Sequence, residues 1–104
     1  MIVVQNRFEI AEGYEEAFVE RFRNRQGDVE DRDGFRRFEL LRPATEDTAT
    51  FVSMTYWDSL SDYQAWTDSE AFAAAHDRDA PREMFESHPT LEVHEVALEA
   101  GPEA

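Results

Sequence analysis

Three side chains stand where a core-building sequence has little use for them: Asn6, Trp66 and His76. Asn6 sits in MIVVQNRFEI, in alternation with Ile2, Val4, Phe8 and Ile10, so it falls on an otherwise apolar strand face. A buried carboxamide without partners costs about 1–3 kcal/mol, so Asn6 is either satisfied by backbone or a donor aimed into a pocket. Trp66 and His76 lie in AWTDSEAFAAAH, with His76 four residues after Phe72 and therefore on its helical stripe. At a helix end, a histidine gains ~0.3–1 kcal/mol from the macrodipole. As a metal ligand it would be a neutral imidazole whose second nitrogen donates to a carbonyl or carboxylate. Trp66 reads as a core aromatic or as a pocket wall. Taken singly, each residue is explained more economically by structure than by chemistry.

Other chemistries lack their residues. His88 and His94 form no H-x-x-x-H or H-x-H pair, and there is no cysteine, which removes zinc motifs, thiolate nucleophiles, iron–sulfur ligation and disulfides. No G-x-G-x-x-G, P-loop or G-x-S-x-G occurs, so a nucleotide site and a serine hydrolase have no support. The formal net charge is −14, and every basic residue is Arg. Such a surface repels nucleic acid and anionic membranes, whose binding depends on clustered basic residues. It suits a halophile's cytosol, where molar salt shortens the Debye length to ~3 Å. The N-terminus shows no signal-peptide pattern and no apolar run approaches about 18 residues, so a soluble cytoplasmic protein is expected.

The elements that would position these residues follow from periodicity. The first strand spans Ile2 to Ile10; Tyr14, Ala17, Phe18 and Phe22 then recur at helical spacing to about Gln26. GDVEDRDG is a loop, FRRFELLR a second strand stopped by Pro43, and ATFVSMTYW a third. Ser59 and Asp62 resemble a capping box opening a second helix, and Ser69 is an N-cap candidate for a break near Asp68 and a restart toward His76. DRDAPREMFESHP reads as irregular, and Leu91–Leu98 as the last strand. The order β-α-β-β-α-β, in one domain over residues 1–98 with a tail at 99–104, predicts an α+β ferredoxin-like antiparallel sheet with both helices on one face. The other face, with Val3, Gln5 and Arg7, would then lack a cover, which predicts a homodimer packed sheet to sheet.

Together, QNRFEI, ERFRNRQG followed by DGF, and the W-x-x-S-x-x-F-x-x-A-H frame from Trp66 to His76 resemble the IsdG-like haem-degrading monooxygenases of the antibiotic-biosynthesis monooxygenase superfamily. The resemblance implies a homodimer whose ferredoxin-like sheets join in an α+β barrel, with one haem per subunit between helices and sheet. It makes haem both substrate and cofactor, consumed with O2 and an external electron donor, delivered by an unidentified reductase, to release iron and an open-chain tetrapyrrole. It assigns His76 as the proximal iron ligand, Asn6 as hydrogen-bond partner of the distal oxygen ligand, and Trp66 as the side chain that presses on the macrocycle. Phe22 and Phe72 would help hold the ring, and Arg25, with Arg21 or Arg78, would meet the propionates. Two other functions fit the same fold: a cofactor-free monooxygenase of an aromatic or quinol substrate, and a non-enzymatic haem-binding module.

One expectation needs no ligand. The 24 carboxylates are offset by only 10 Arg, so screening should relieve self-repulsion and the melting temperature should rise from low to molar salt. A flat or falling curve in thermal denaturation would assign the acidic composition another cause.

Overall fold

Strand β1 (Ile2–Glu9) is an inner strand of the sheet, paired on both sides with strands from later in the chain. The computed structural model describes residues 1–24, 27–70, 72 and 81–102. Along the chain, β1 is followed by helix α1 (Glu15–Arg23), β2 (Phe35–Leu41), β3 (Thr50–Trp57), α2 (Leu60–Thr67) and β4 (Thr90–Glu95). The sheet order is β2-β3-β1-β4 and every pairing is antiparallel. This is the ferredoxin-like arrangement expected from the element order.

Two apolar clusters cover one face of the sheet. The first joins Val4, Val29, Trp57 and Trp66, with Ile2, Phe35, Tyr63 and Phe72 packed against it. Trp57 is completely buried. Its indole N–H donates to Thr55 Oγ1 at 3.0 Å, and its ring meets Phe35 and Tyr63 edge-on at 5.4 and 5.9 Å. Burial pushes the Tyr63 phenol up, so it stays neutral. The second cluster joins Phe18, Val19, Phe51 and Met84, bordered by Phe8, Ile10, Tyr14, Phe22, Leu40 and Phe85. Phe18 is its hub, with the rings of Phe8, Phe22, Phe51 and Phe85 all within 6.1 Å of its centroid.

Where structure and periodicity differ, tertiary contact is the reason. The GDVEDRDG stretch contains a 3-10 turn, Gly27–Asp31, that buries Val29 in the first cluster. Within the segment read as irregular, Arg82–Met84 forms a second 3-10 turn. There Met84 is buried, and Ile10 bridges to Phe85, with Ala11 N–H donating to Met84 O at 2.8 Å. A three-residue apolar contribution of this kind has no period to detect. The outer sheet face is also less open than its alternation implies. Val3 and Val52 are buried, while Arg7 reaches Gln5 and Glu92 and the Arg37 guanidinium lies 4.4 Å over the Tyr56 ring. Long polar side chains thus lie across that face.

Both N-caps of the α2 region are present. Ser59 Oγ accepts from Asp62 N–H at 3.2 Å and donates to Asp62 Oδ2 at 2.9 Å. Asp62 in turn sits against Gly34, which turns the chain into β2 with φ +79° and whose carbonyl accepts from Asp58 N–H at 2.8 Å. A Cβ at Gly34 would lie 2.1 Å from Asp62 Oδ2 and 2.7 Å from Asp62 Cβ, whereas one at Gly13, with φ +92°, would meet nothing within 4 Å. Gly13→Ala should therefore lose about 1 kcal/mol from backbone strain alone. Gly34→Ala should lose at least about 1 kcal/mol more by chemical denaturation. Equal losses would show that the Asp62 cap yields without cost.

Candidate active site

Asn6 occupies the gap between the two apolar clusters. Its register partners are Ser53 on β3 and Leu91 on β4, and Ser53 is opposite Leu40 on β2. Directly opposed residues share a face, so Leu40, Ser53, Asn6 and Leu91 form one row across the helix side of the sheet. The next row toward the first cluster is Phe38, Thr55, Val4 and Val93; on the other side lie Phe51 and Phe8. Asn6 is half-buried and Ser53 is 9% exposed. Neither side chain has a hydrogen-bond partner among the described residues. The flanking Leu91 and Val93 are 54% and 42% exposed on the same side. The floor is therefore a pair of polar side chains beside uncovered apolar surface.

The helices supply the walls. From α1, Phe22 stacks on Phe38 at 5.7 Å and meets Phe8 edge-on at 6.2 Å. A cavity of about 240 Å³ at this end is lined by Val19, Phe22, Phe38 and Leu40, with Arg23 and Arg42 at its edge. Arg42 pairs with Glu16 at 3.5 Å and Arg23 with Glu20, both in solvent. From α2, Trp66 is buried in the first cluster, with Phe72 edge-on at 5.6 Å and the Arg32 guanidinium 5.8 Å from its ring centroid. Ser69 marks the break expected near Asp68. Its hydroxyl donates to Trp66 O at 2.6 Å and accepts from Phe72 N–H at 3.1 Å, closing one turn and opening the next.

Of the residues singled out from sequence, Asn6, Trp66, Phe22 and Phe72 all lie on the helix side of the sheet. Asn6 sits between the walls, Phe22 borders the second cluster, and Trp66 and Phe72 belong to the first. Arg21 is half-buried on α1. His76, Arg25 and Arg78 lie outside the described residues. Ser53, Leu91 and Val93 were not singled out, although they complete the floor around Asn6. Their signal was the period-2 alternation of FVSMTYW and LEVHEV, which becomes informative only once the register against Asn6 is known.

The class defined here is a ferredoxin-like α+β domain whose helix-side sheet face carries a polar pair, Asn6 and Ser53, between two apolar clusters. The chain belongs to the antibiotic biosynthesis monooxygenase family, which it matches over residues 1–78. It is 36% identical over 104 residues to a heme-degrading monooxygenase of Halalkalibacterium halodurans, covering 98% of this chain and 87% of that protein. A heme-degrading monooxygenase of Bacillus thuringiensis is 40% identical over 77 residues, 73% of this chain and 71% of that protein. Among solved structures, the heme-degrader MhuD from Mycobacterium tuberculosis, with two hemes bound in its active site, superposes with a TM-score of 0.79 at 31% identity. That alignment covers 97% of this chain and 100% of MhuD.

Proposed function

We propose that the protein is a haem-degrading monooxygenase that opens the porphyrin with O2 and electrons from an external donor and releases iron. The observation that carries the reading is Asn6, set between the two apolar clusters and without a side-chain hydrogen-bond partner among the described residues, in a chain 36% identical to a relative bearing that name. The residues present fit the group: Phe22, Phe72, Leu91 and Val93 offer apolar surface for a macrocycle on the helix side, and Asn6 and Ser53 offer polar atoms between them for oxygen. When bound, the haem iron supplies the activation of O2 that no side chain of this protein could provide.

The chain's own residues then orient and exclude. Asn6 Nδ2–H can donate to oxygen admitted to the cleft without giving up a proton, which a carboxylic acid or imidazolium in its place would do. Trp66, fixed by Val4, Val29 and Trp57, forms an unyielding wall that would press on a ring lying against it. His76 would hold the iron through a neutral imidazole. Arg25, with Arg21 or Arg78, would meet the propionates, and salt would moderate the penalty of bringing an anion to a surface of charge −14. The protein works in the cytoplasm as a homodimer joined through the outer sheet face, where Leu41 is exposed, and a separate reductase supplies electrons. Among the described residues no helix is long and apolar enough to cross a membrane.

Haemin titration is expected to give a Soret band with an imidazole-ligated spectrum, and ascorbate under air should bleach it. No band would favour an aromatic or quinol substrate, and a band that survives reductant would indicate a binding module. His76→Ala should abolish the ligated spectrum and turnover while changing stability by no more than about 1 kcal/mol. Asn6→Ala should retain haem and degrade it at least roughly tenfold more slowly, the loss expected for one preorganised donor. Parent-like binding and turnover by His76→Ala would overturn the ligand assignment. Light scattering at high salt should return twice the chain mass; a monomeric mass would remove the dimer.

A further inference from the structure

A helix leaves its last four carbonyls without partners of its own, and in α2 these belong to Gln64, Ala65, Trp66 and Thr67. Gln64 O accepts from Asp68 N–H and Trp66 O from Ser69 N–H, both at 3.0 Å. A cation in the last turn would complement the carbonyls that remain, but α2 has no basic residue there. Arg32 brings one from another part of the chain: its Nη2 donates to Ala65 O in a long hydrogen bond of 3.4 Å. The same guanidinium lies over the Trp66 ring, 5.8 Å from its centroid. Whereas Arg7, Arg23, Arg36, Arg37 and Arg42 each reach a carboxylate, Arg32 is half-buried and has no ion pair among the described residues. In a chain with 24 acidic residues, its polar side-chain contacts go to α2 instead.

The backbone that carries Arg32 is itself fixed. Val29, three residues earlier, is buried in the same cluster as Trp66, and its carbonyl accepts from the Arg32 backbone N–H at 3.1 Å. Phe35 N–H then donates to Arg32 O at 3.2 Å as β2 begins. Trp66, 6% exposed, thus has a cation over its ring, Phe72 at right angles to it, and a clamp on the carbonyl next to it in the chain. We propose that Arg32 is a positioning residue for Trp66: one guanidinium holds the indole through its face and the last turn of α2 through Ala65 O, so that this wall keeps a single orientation. The catalytic meaning rests on the haem-degrading reading, in which Trp66 presses on the macrocycle, but the clamp is present in the protein without a ligand. A wall free to rock would still bind a flat ligand and would distort it less, so the loss should fall on turnover and not on affinity.

Arg32→Met, which keeps the length of the side chain and removes its charge, gives a test with two arms. In the haem-free protein, the relaxation order parameter of the Trp66 indole N–H should fall from about 0.85, as for rigid groups, toward about 0.6. Arg32→Lys should recover most of the fall. The Trp57 indole N–H, bonded to Thr55, should stay rigid throughout, and Arg36→Met, which removes a cation from an exposed pair with Asp58, should change neither indole. In the second arm, Arg32→Met should leave the Kd for haemin within about twofold and slow its degradation with ascorbate roughly threefold or more, with Arg32→Lys again restoring most of the rate. On a Trp66→Leu background, Arg32→Met should slow degradation no further, since a residue acting through another is silent once that residue is gone. An unchanged Trp66 order parameter, equal loosening of Trp57, or undiminished slowing on the Trp66→Leu background would overturn the proposal. Failure of the parent protein to bind haemin would overturn the functional reading, while the order parameters still decide whether Arg32 holds Trp66.

Discussion

Sliding β1 by one residue against β3 would turn Asn6 to the outer face, and Val4 and Phe8 with it. The eight-pair register from Ile2–Trp57 to Glu9–Thr50 is the constraint on which the site and the core both depend. It holds because its two ends are anchored by different masses, Trp57 with Val4 at one end and Phe51 with Phe8 at the other. A polar row between two apolar anchors cannot slip without exposing both. The fold thereby places a carboxamide and a hydroxyl opposite each other on the helix side of the sheet, with no side-chain hydrogen bond to either among the described residues.

Electrostatics contributes little to that architecture. The ion pairs of Arg7, Arg23, Arg36, Arg37 and Arg42 all involve solvent-exposed side chains, for which contributions of about 0–1 kcal/mol are usual. Their effect is to distribute the few positive charges over an acidic surface. Arg32 differs in lying over the Trp66 ring and donating to Ala65 O at 3.4 Å, which ties the turn before β2 to the helix that carries the tryptophan.

The sheet and helices were legible because their signals are local. Alternation marked β1, an apolar stripe of Phe18 and Phe22 marked α1, and hydroxyl caps at Ser59 and Ser69 marked where α2 begins and where its continuation restarts. Asn6 was legible for the same reason, as one polar residue in an apolar series. Ser53 was not, because a serine among FVSMTYW is unremarkable until the strand opposite it is known. Val29 and Met84 escaped because each enters the core from a 3-10 turn of five residues or fewer, too short to show a period. The burial of Val3 was hidden because it depends on where long neighbours lie, which alternation does not encode.

The position of β1 in the sheet has a consequence for how the chain is made. The strand synthesised first is hydrogen-bonded on one side to Thr50–Trp57 and on the other to Thr90–Glu95, and Ile10 waits for Phe85. Both of its edges therefore stay open during most of translation, when unpaired strand edges invite association with other chains. Closing those distant pairings makes folding slow relative to a helical protein of equal length. In this interval the acidic residues that do little for the finished fold act on the nascent one, because chains of like charge repel one another before their sheets are complete.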